Sequence, residues 1–186
     1  FDSGSGIRSF AKQYLQAGKA ATPATFHLII SHLHWDHIQG FPFFVPAFLG
    51  NCTIYIHTLH TETEAVLRHQ MQPPTFPISF DALSADIRFV HHEPETAFEI
   101  DGFKIQTIAQ NHPGISYGFR VEKDGCVFVY SSDAEHTHEA HETNYRFVEF
   151  FKNADLLVFD AQYSLTDATL WKANWGHSSN VVGIEL

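Results

Sequence analysis

Apolar residues in this chain gather in short runs divided by polar turns, and the runs follow two different periods. Phe26-His27-Leu28-Ile29-Ile30, Thr53-Ile54-Tyr55-Ile56, Ile87-Arg88-Phe89-Val90 and Leu156-Leu157-Val158-Phe159 have strand length, and the first and last read as buried strands. Residues 97–100 and 103–108 flank Asp101-Gly102, and residues 117–121 and 126–130 flank Lys123-Asp124-Gly125, which predicts two hairpins. Helical spacing marks Ile7, Phe10, Ala11, Tyr14 and Leu15, with Gly18 as a C-terminal stop. Thr61-Glu62-Thr63-Glu64 has capping-box form and predicts a helix to about Met71. Tyr145, Val148, Phe151 and Lys152 predict a further helix ending near Ala154. Pro42 and Pro46 keep the structure after Ile38 short, and the prolines of 72–77 forbid regular structure there. Helices and strands interleave around central hairpins, so the fold class expected is an α/β layered domain.

Composition narrows this picture only a little. A length of 186 residues favours a single domain, 1–186, and 44% hydrophobic content with 18 phenylalanines is enough for a sizeable core. No run approaches the roughly 20 apolar residues of a membrane span, and no basic-then-apolar leader opens the chain, so a cytoplasmic location without membrane contact is expected. Cys52 and Cys126 are too few for a disulfide framework and lie in apolar runs, which predicts buried free thiols. The formal charge of −10 repels polyanions, so an extended nucleic-acid surface is not expected. A small anionic substrate drawn to bound cations remains compatible. The oligomeric state is left open, with a homodimer plausible.

The chemistry concentrates at Ser31-His32-Leu33-His34-Trp35-Asp36-His37, directly after the first apolar run. On extended chain His32 and His34 leave the strand end on one face, and once the chain turns Asp36 and His37 can aim into the same cavity. Three imidazoles and a carboxylate within six residues suit Zn²⁺, Mn²⁺ or Fe²⁺ and could serve two ions. The alternative is a polar loop in a chain with 14 histidines. The remaining histidines are read as bland: surface or capping roles for His57, His60 and His69, a loop for His91-His92, and a solvated helix start or loop for His136, His138 and His141.

His32-x-His34-x-Asp36-His37 resembles the signature of the metallo-β-lactamase superfamily, and the neighbouring residues resemble its phosphodiesterase branch of ribonuclease Z and cyclic-phosphate phosphodiesterases. That resemblance implies an αββα sandwich of two mixed β-sheets flanked by helices. It marks His112, in Gln110-Asn111-His112-Pro113-Gly114, as the third metal-binding histidine, and Asp133, in Ser131-Ser132-Asp133-Ala134, as the bridging aspartate. Unaided, the residues leave a loop histidine and a helix N-cap as alternatives. Asp2, before a glycine-rich turn, would support the metal loop by hydrogen bonds, or else cap a helix. His177, in Asn174-Trp175-Gly176-His177-Ser178, would be a general acid oriented by Asp160, or else a structural histidine capping the next helix.

On this reading His32, His34, His112 and Asp133 hold one metal, and Asp36, His37 and Asp133 hold the other. Two divalent cations about 3.5–4 Å apart, zinc first and manganese or iron after it, would lower the pKa of a shared water. The hydroxide so formed would attack phosphorus, with Asp36 orienting it and His177 protonating the departing oxygen. The expected function is therefore metal-dependent hydrolysis of small or cyclic phosphodiesters. Only one hairpin separates His112 from Asp133, which leaves no room for the long tRNA-binding arm of ribonuclease Z. The alternatives are a lactone, thioester or β-lactam hydrolase on the same core, or a non-catalytic metal-binding module. The resemblance also implies opening strands before Phe1 and a final metal-binding histidine beyond Leu186. The domain is therefore expected to extend past both ends; the alternatives for the last ligand are that the second metal lacks one from the protein or that His177 takes that place.

Overall fold

The computed structural model describes residues 1–136, 142 and 144–186. It divides into two compact units, Phe1–His92 and Glu93–Leu186. Among the described residues no helix is long and apolar enough to cross a membrane.

The first unit is a three-stranded parallel sheet in the order β1 (Ala24–Ile30), β2 (Cys52–Thr58), β3 (Asp86–His91). Its helices are α1 (Gly6–Gln16), α2 (Trp35–Ile38) and α3 (Thr63–Gln70). The stripe of Ile7 and Ala11 from α1, Phe26 and Ile30 from β1, and Ile54 and Ile56 from β2 closes one core, to which Phe41, Phe44 and Phe80 add rings. Alternate positions along each strand reach this core, which is why runs of period two form a sheet while α1, with period near 3.6, lies along it.

Three expectations need correction here. The capping box does not form: α3 starts at Thr63, and the buried Thr63 hydroxyl donates to the His60 carbonyl at 2.8 Å. His57 is buried: its register partners are Ile29 and Val90, and residues two apart on a strand share a face, so His27 and His92, just past β3, stand beside it. His27 Nδ1 lies 2.9 Å from His57 Nε2, and His57 Nδ1 lies 2.9 Å from His92 Nε2. His91 ends β3 rather than lying in a loop.

The second unit is a mixed five-stranded sheet in the order β4 (Phe98–Ile100), β5 (Phe103–Gln110), β6 (Ser116–Lys123), β7 (Cys126–Ser131), β8 (Leu156–Phe159). The first four strands pair antiparallel and β8 pairs parallel to β7. Both predicted hairpins form, each on a two-residue turn with positive φ at both positions (Asp101 49° and Gly102 79°, Asp124 52° and Gly125 82°). Such turns match the right-handed twist of the flanking strands, which is why Asp-Gly is favoured there. Helix α4 (Arg146–Phe151) packs Phe147 and Phe151 against Ile108 and Val129, and the Arg120 guanidinium donates to the carbonyls of Phe150 and Lys152 at its C-terminal end. Helix α5 (Asn180–Glu185) closes the described chain.

Two further corrections belong to this unit. Leu156–Phe159 is not buried on both faces: Leu156 is 59% exposed and Val158 39%, since only alternate residues of this strand meet the core. Cys126 is exposed, at the start of a strand next to a tight turn, while Cys52 is buried.

Candidate metal-binding and catalytic residues

The first unit holds His32, His34, Asp36 and His37 at the C-terminal end of β1. The chain leaves the strand extended through His34 and then turns into α2, so both geometries expected of the motif occur within six residues. The His32 ring centroid lies 4.6 Å from that of His34 and 4.2 Å from that of His37. His32 is 1% exposed, while the Asp36 side chain is 70% exposed, its carboxylate 3.5 Å from His37 Nε2.

Asp2 underlies this loop. Its Oδ1 accepts from the Ser31 amide at 2.7 Å, and its Oδ2 accepts from the Ser31 hydroxyl at 2.8 Å. His37 Nδ1 lies 2.8 Å from the same Oδ2. Backbone bonds from Asp2 N to Ile29 O and from Ser3 N to His37 O stitch the segment to both sides of the loop. Asp2 is not a helix cap, since the residue preceding α1 is Ser5. A carboxylate on Nδ1 fixes the tautomer that puts the ring's lone pair on Nε2, the arrangement found behind metal-ligating histidines.

The second unit holds His112, Asp133, Asp160 and His177, which follow four different strands or loops. Donor atoms of His112, Asp133 and His177 all lie within 4.8 Å of one another, and His112 Nε2 is 3.8 Å from Asp133 Oδ2. Asp133 sits just past β7 with φ 52°. Its backbone is tied down, with the Ser116 hydroxyl donating to its carbonyl at 2.6 Å. The Ser132 hydroxyl lies 2.5 Å from its Oδ1. His112 Nδ1 donates to the Gly176 carbonyl at 2.8 Å. His177 Nδ1 lies 2.8 Å from Asp160 Oδ2, which also accepts from the Ala134 amide at 3.0 Å, while Asp160 Oδ1 takes the Gln162 amide at 3.1 Å. His177 does not cap α5, because the Ser179 hydroxyl does so by accepting from Val182 N. Gly176 is tightly hemmed: at φ +85° a Cβ there would sit 2.4 Å from His112 Nδ1 and 2.4 Å from Pro113 Cδ.

His136 departs from expectation. It is buried among Phe147, Phe151, Phe159 and Tyr145, with Nδ1 2.7 Å from the Tyr145 hydroxyl, and burial pushes its pKa down to about 4. The reason is long-range packing: the rings that enclose it come from α4 and β8. His138 and His141 lie outside the described residues.

Sequence reasoning passed over Glu135 and Ser178. The Ser178 hydroxyl accepts from His136 N at 2.8 Å and donates to the Ala134 carbonyl at 2.7 Å. Glu135 accepts from the amides of Asn174 and Gly176. No local signal marks either residue, since the groups their side chains bond lie 39 or more residues away.

A family model described as a β-lactamase superfamily domain matches residues 1–185. The chain belongs to the β-lactamase superfamily. Solved structures agree on the fold of this superfamily member. YhfI from Bacillus subtilis, a metallo-β-lactamase fold protein, is 23% identical with a TM-score of 0.66, over 96% of this chain and 63% of that one. The short form of human tRNase Z is 19% identical with a TM-score of 0.66, over 99% and 74%. A diphosphatase of the PhnP family is 21% identical with a TM-score of 0.51, over 86% and 55%. The chain thus spans less than two thirds of the length of YhfI and of the diphosphatase. No curated protein sequence matches it. The fold is that of the metallo-β-lactamases, α/β with two sheets and flanking helices, of which the second sheet is mixed and the first is parallel throughout. The superfamily consists mostly of metal-dependent hydrolases, and the anchored histidines and carboxylates of each unit are donors that fit divalent transition-metal ions.

Proposed function

We propose that this superfamily member is a phosphodiesterase acting on small or cyclic phosphodiesters with two divalent metal ions, zinc first among them. The reading assigns His32, His34, Asp36, His37, His112 and Asp133 as ligands, as the family resemblance has it. Such ions, when bound, supply Lewis acidity at the phosphoryl oxygens and lower the pKa of a water. The protein's own part is to hold its ligands in one tautomer and to manage a proton. Asp2 holds His37 and Ser31, and the Gly176 carbonyl holds His112. Asp160 fixes the His177 ring through Nδ1, so that Nε2 is the atom that would pass a proton to the departing oxygen.

The observation that carries the reading is the Asp160–His177 pair standing beside His112 and Asp133. A carbonyl hydrolase has no evident use for a carboxylate-oriented histidine at that place. The tRNase Z and the PhnP-family diphosphatase among the structural relatives support phosphoryl chemistry. The single β6–β7 hairpin between His112 and Asp133, with the charge of −10, favours small substrates over tRNA. The proximity of His177 to His112 and Asp133 also favours a second role for it, as a metal ligand.

The test is elemental analysis joined to turnover of bis-(p-nitrophenyl) phosphate and of cyclic nucleotides. About two divalent ions per chain and a fall in kcat of about 10²–10⁴ in His177→Ala are expected. Loss of one ion in that variant would make His177 a ligand. Efficient pre-tRNA cleavage with no turnover of cyclic nucleotides would overturn the substrate assignment.

A further inference from the structure

Three backbone groups of the second unit meet at a residue with no role in the reading above. Glu135 Oε1 accepts from the Asn174 amide at 2.7 Å and Oε2 from the Gly176 amide at 3.0 Å. Its own amide donates to the Asn111 carbonyl at 2.9 Å, so the residue is pinned beside His112 at its backbone and reaches the 174–176 turn with its side chain. Asn174 and Gly176 both have positive φ, 67° and 85°. Two residues in that region expose their amides to one side, and a carboxylate is the acceptor that satisfies both at once. The same turn carries the Gly176 carbonyl that receives His112 Nδ1 and is followed directly by His177.

We propose that Glu135 is a positioning residue of the centre: by holding the 174–176 turn through two amides it fixes the His112 tautomer and sets where His177 stands. The proposal rests on the phosphodiesterase reading only for what the positioned groups then do. The mechanical chain is complete without that reading. With the carboxylate present, Gly176 O is held towards His112, whose Nδ1–H must donate to it, and the lone pair then lies on Nε2. Without it, the Asn174 and Gly176 amides lose their acceptor, the turn is free to rotate its peptide, and the His112 ring loses the contact that selects one tautomer. The backbone at Gly176 passes so close to His112 and Pro113 that a Cβ there would meet both at 2.4 Å, so the turn and the His112 ring are immediate neighbours. Asp160 cannot replace this support, because it holds the His177 ring and not the backbone of the turn.

Glu135→Gln keeps the shape but offers one acceptor oxygen and sets an NH₂ against the other amide. In ¹⁵N-labelled full chain, side-chain nitrogen–proton spectra of His112 should show the Nδ1–H form in the wild type and a mixture in Glu135→Gln. Zinc affinity by competition with a chromophoric chelator should fall about 10-fold, within the range for partners behind metal ligands. A carboxylate shortened by one methylene, Glu135→Asp, reaches one amide and should recover part of both readouts, which a general loss of folding would not allow. Unchanged His112 spectra and unchanged zinc affinity in Glu135→Gln would overturn the proposal, as would equal damage in Glu135→Asp and Glu135→Gln. Spectra and zinc affinity that change as expected, in a wild type that turns over no phosphodiester, would support the role of Glu135 and sink the phosphodiesterase reading.

Discussion

The donors of the two units are built in opposite ways. In Phe1–His92 they are contiguous, His32 to His37, and one buried carboxylate, Asp2, holds His37 directly and His32 through the Ser31 hydroxyl. In Glu93–Leu186 they are scattered from His112 to His177, and the anchoring is shared among the Gly176 carbonyl, Asp160 and Glu135. A contiguous motif needs only a strand end and one turn to converge, so a single support is enough. A scattered set must be gathered across a whole sheet, and each member carries its own support. The first arrangement should fail all at once and the second by degrees.

The largest effect expected is from Asp2→Ala. It removes an acceptor from the Ser31 amide, the Ser31 hydroxyl and His37 Nδ1 together. Leaving such groups unsatisfied in a buried place costs about 3 kcal/mol, and metal affinity should fall about 100-fold. Asp160→Asn should cost less. One oxygen still accepts, His177 loses its carboxylate, and kcat should fall about 10-fold with metal affinity near that of the wild type. Thermal melts, chelator competition and bis-(p-nitrophenyl) phosphate kinetics on the two variants decide the matter. Equal losses of metal affinity in both would break the contrast.

That contrast also governs what could be read before the structure. His32, His34, Asp36 and His37 were legible because chain order alone brings them together, and the two Asp-Gly hairpins because turn chemistry is local. His112, Asp133 and His177 were reached only through family resemblance, since nothing in their own neighbourhoods requires convergence. Glu135 carries no such mark because the two amides its side chain bonds lie 39 and 41 residues on. His57 and His136 read as surface, capping or solvated loop residues for the same reason. The first is covered through the pairing of three parallel strands, the second by rings from α4 and β8. Polar residues that a distant element will bury carry no local mark of it.

Those two histidines give each unit an acid sensitivity of its own. Burial, and after it the neighbouring His92 and His27, lowers the His57 pKa to about 4, and burial lowers that of His136 to about 4. An imidazole with a folded pKa below its unfolded value of about 6.5 takes up a proton on unfolding. Its contribution is therefore fully present above pH 6.5 and is lost as pH falls from there towards 4. Each site should weaken its unit by on the order of 2 kcal/mol across that window. Urea melts of metal-free protein at pH 7.5 and 5 should show the loss. His136→Phe should flatten the dependence only in the second unit. A melt as stable at pH 5 as at pH 7.5 would mean that neither imidazole is held neutral by the fold.

The smallest effect is also the sharpest probe of the two units taken separately. Cys52 is buried in β2, where burial raises its pKa, while Cys126 is exposed at the start of β7. Reaction with a disulfide reagent needs both access and thiolate, so the two thiols should differ greatly in rate without denaturant. One thiol per chain should react quickly, and Cys126→Ser should abolish that phase while changing stability by less than about 0.5 kcal/mol. The slow thiol then reports opening of the sheet that carries the contiguous donors. Asp2→Ala should quicken labelling at Cys52 and Asp160→Asn should leave it unchanged, because the groups that Asp160 holds, the Ala134 and Gln162 amides and the His177 ring, belong to the second unit. If Asp160→Asn quickened Cys52 as much as Asp2→Ala does, the supports of the two donor sets would be energetically one, and the difference between a shared anchor and a distributed one would vanish.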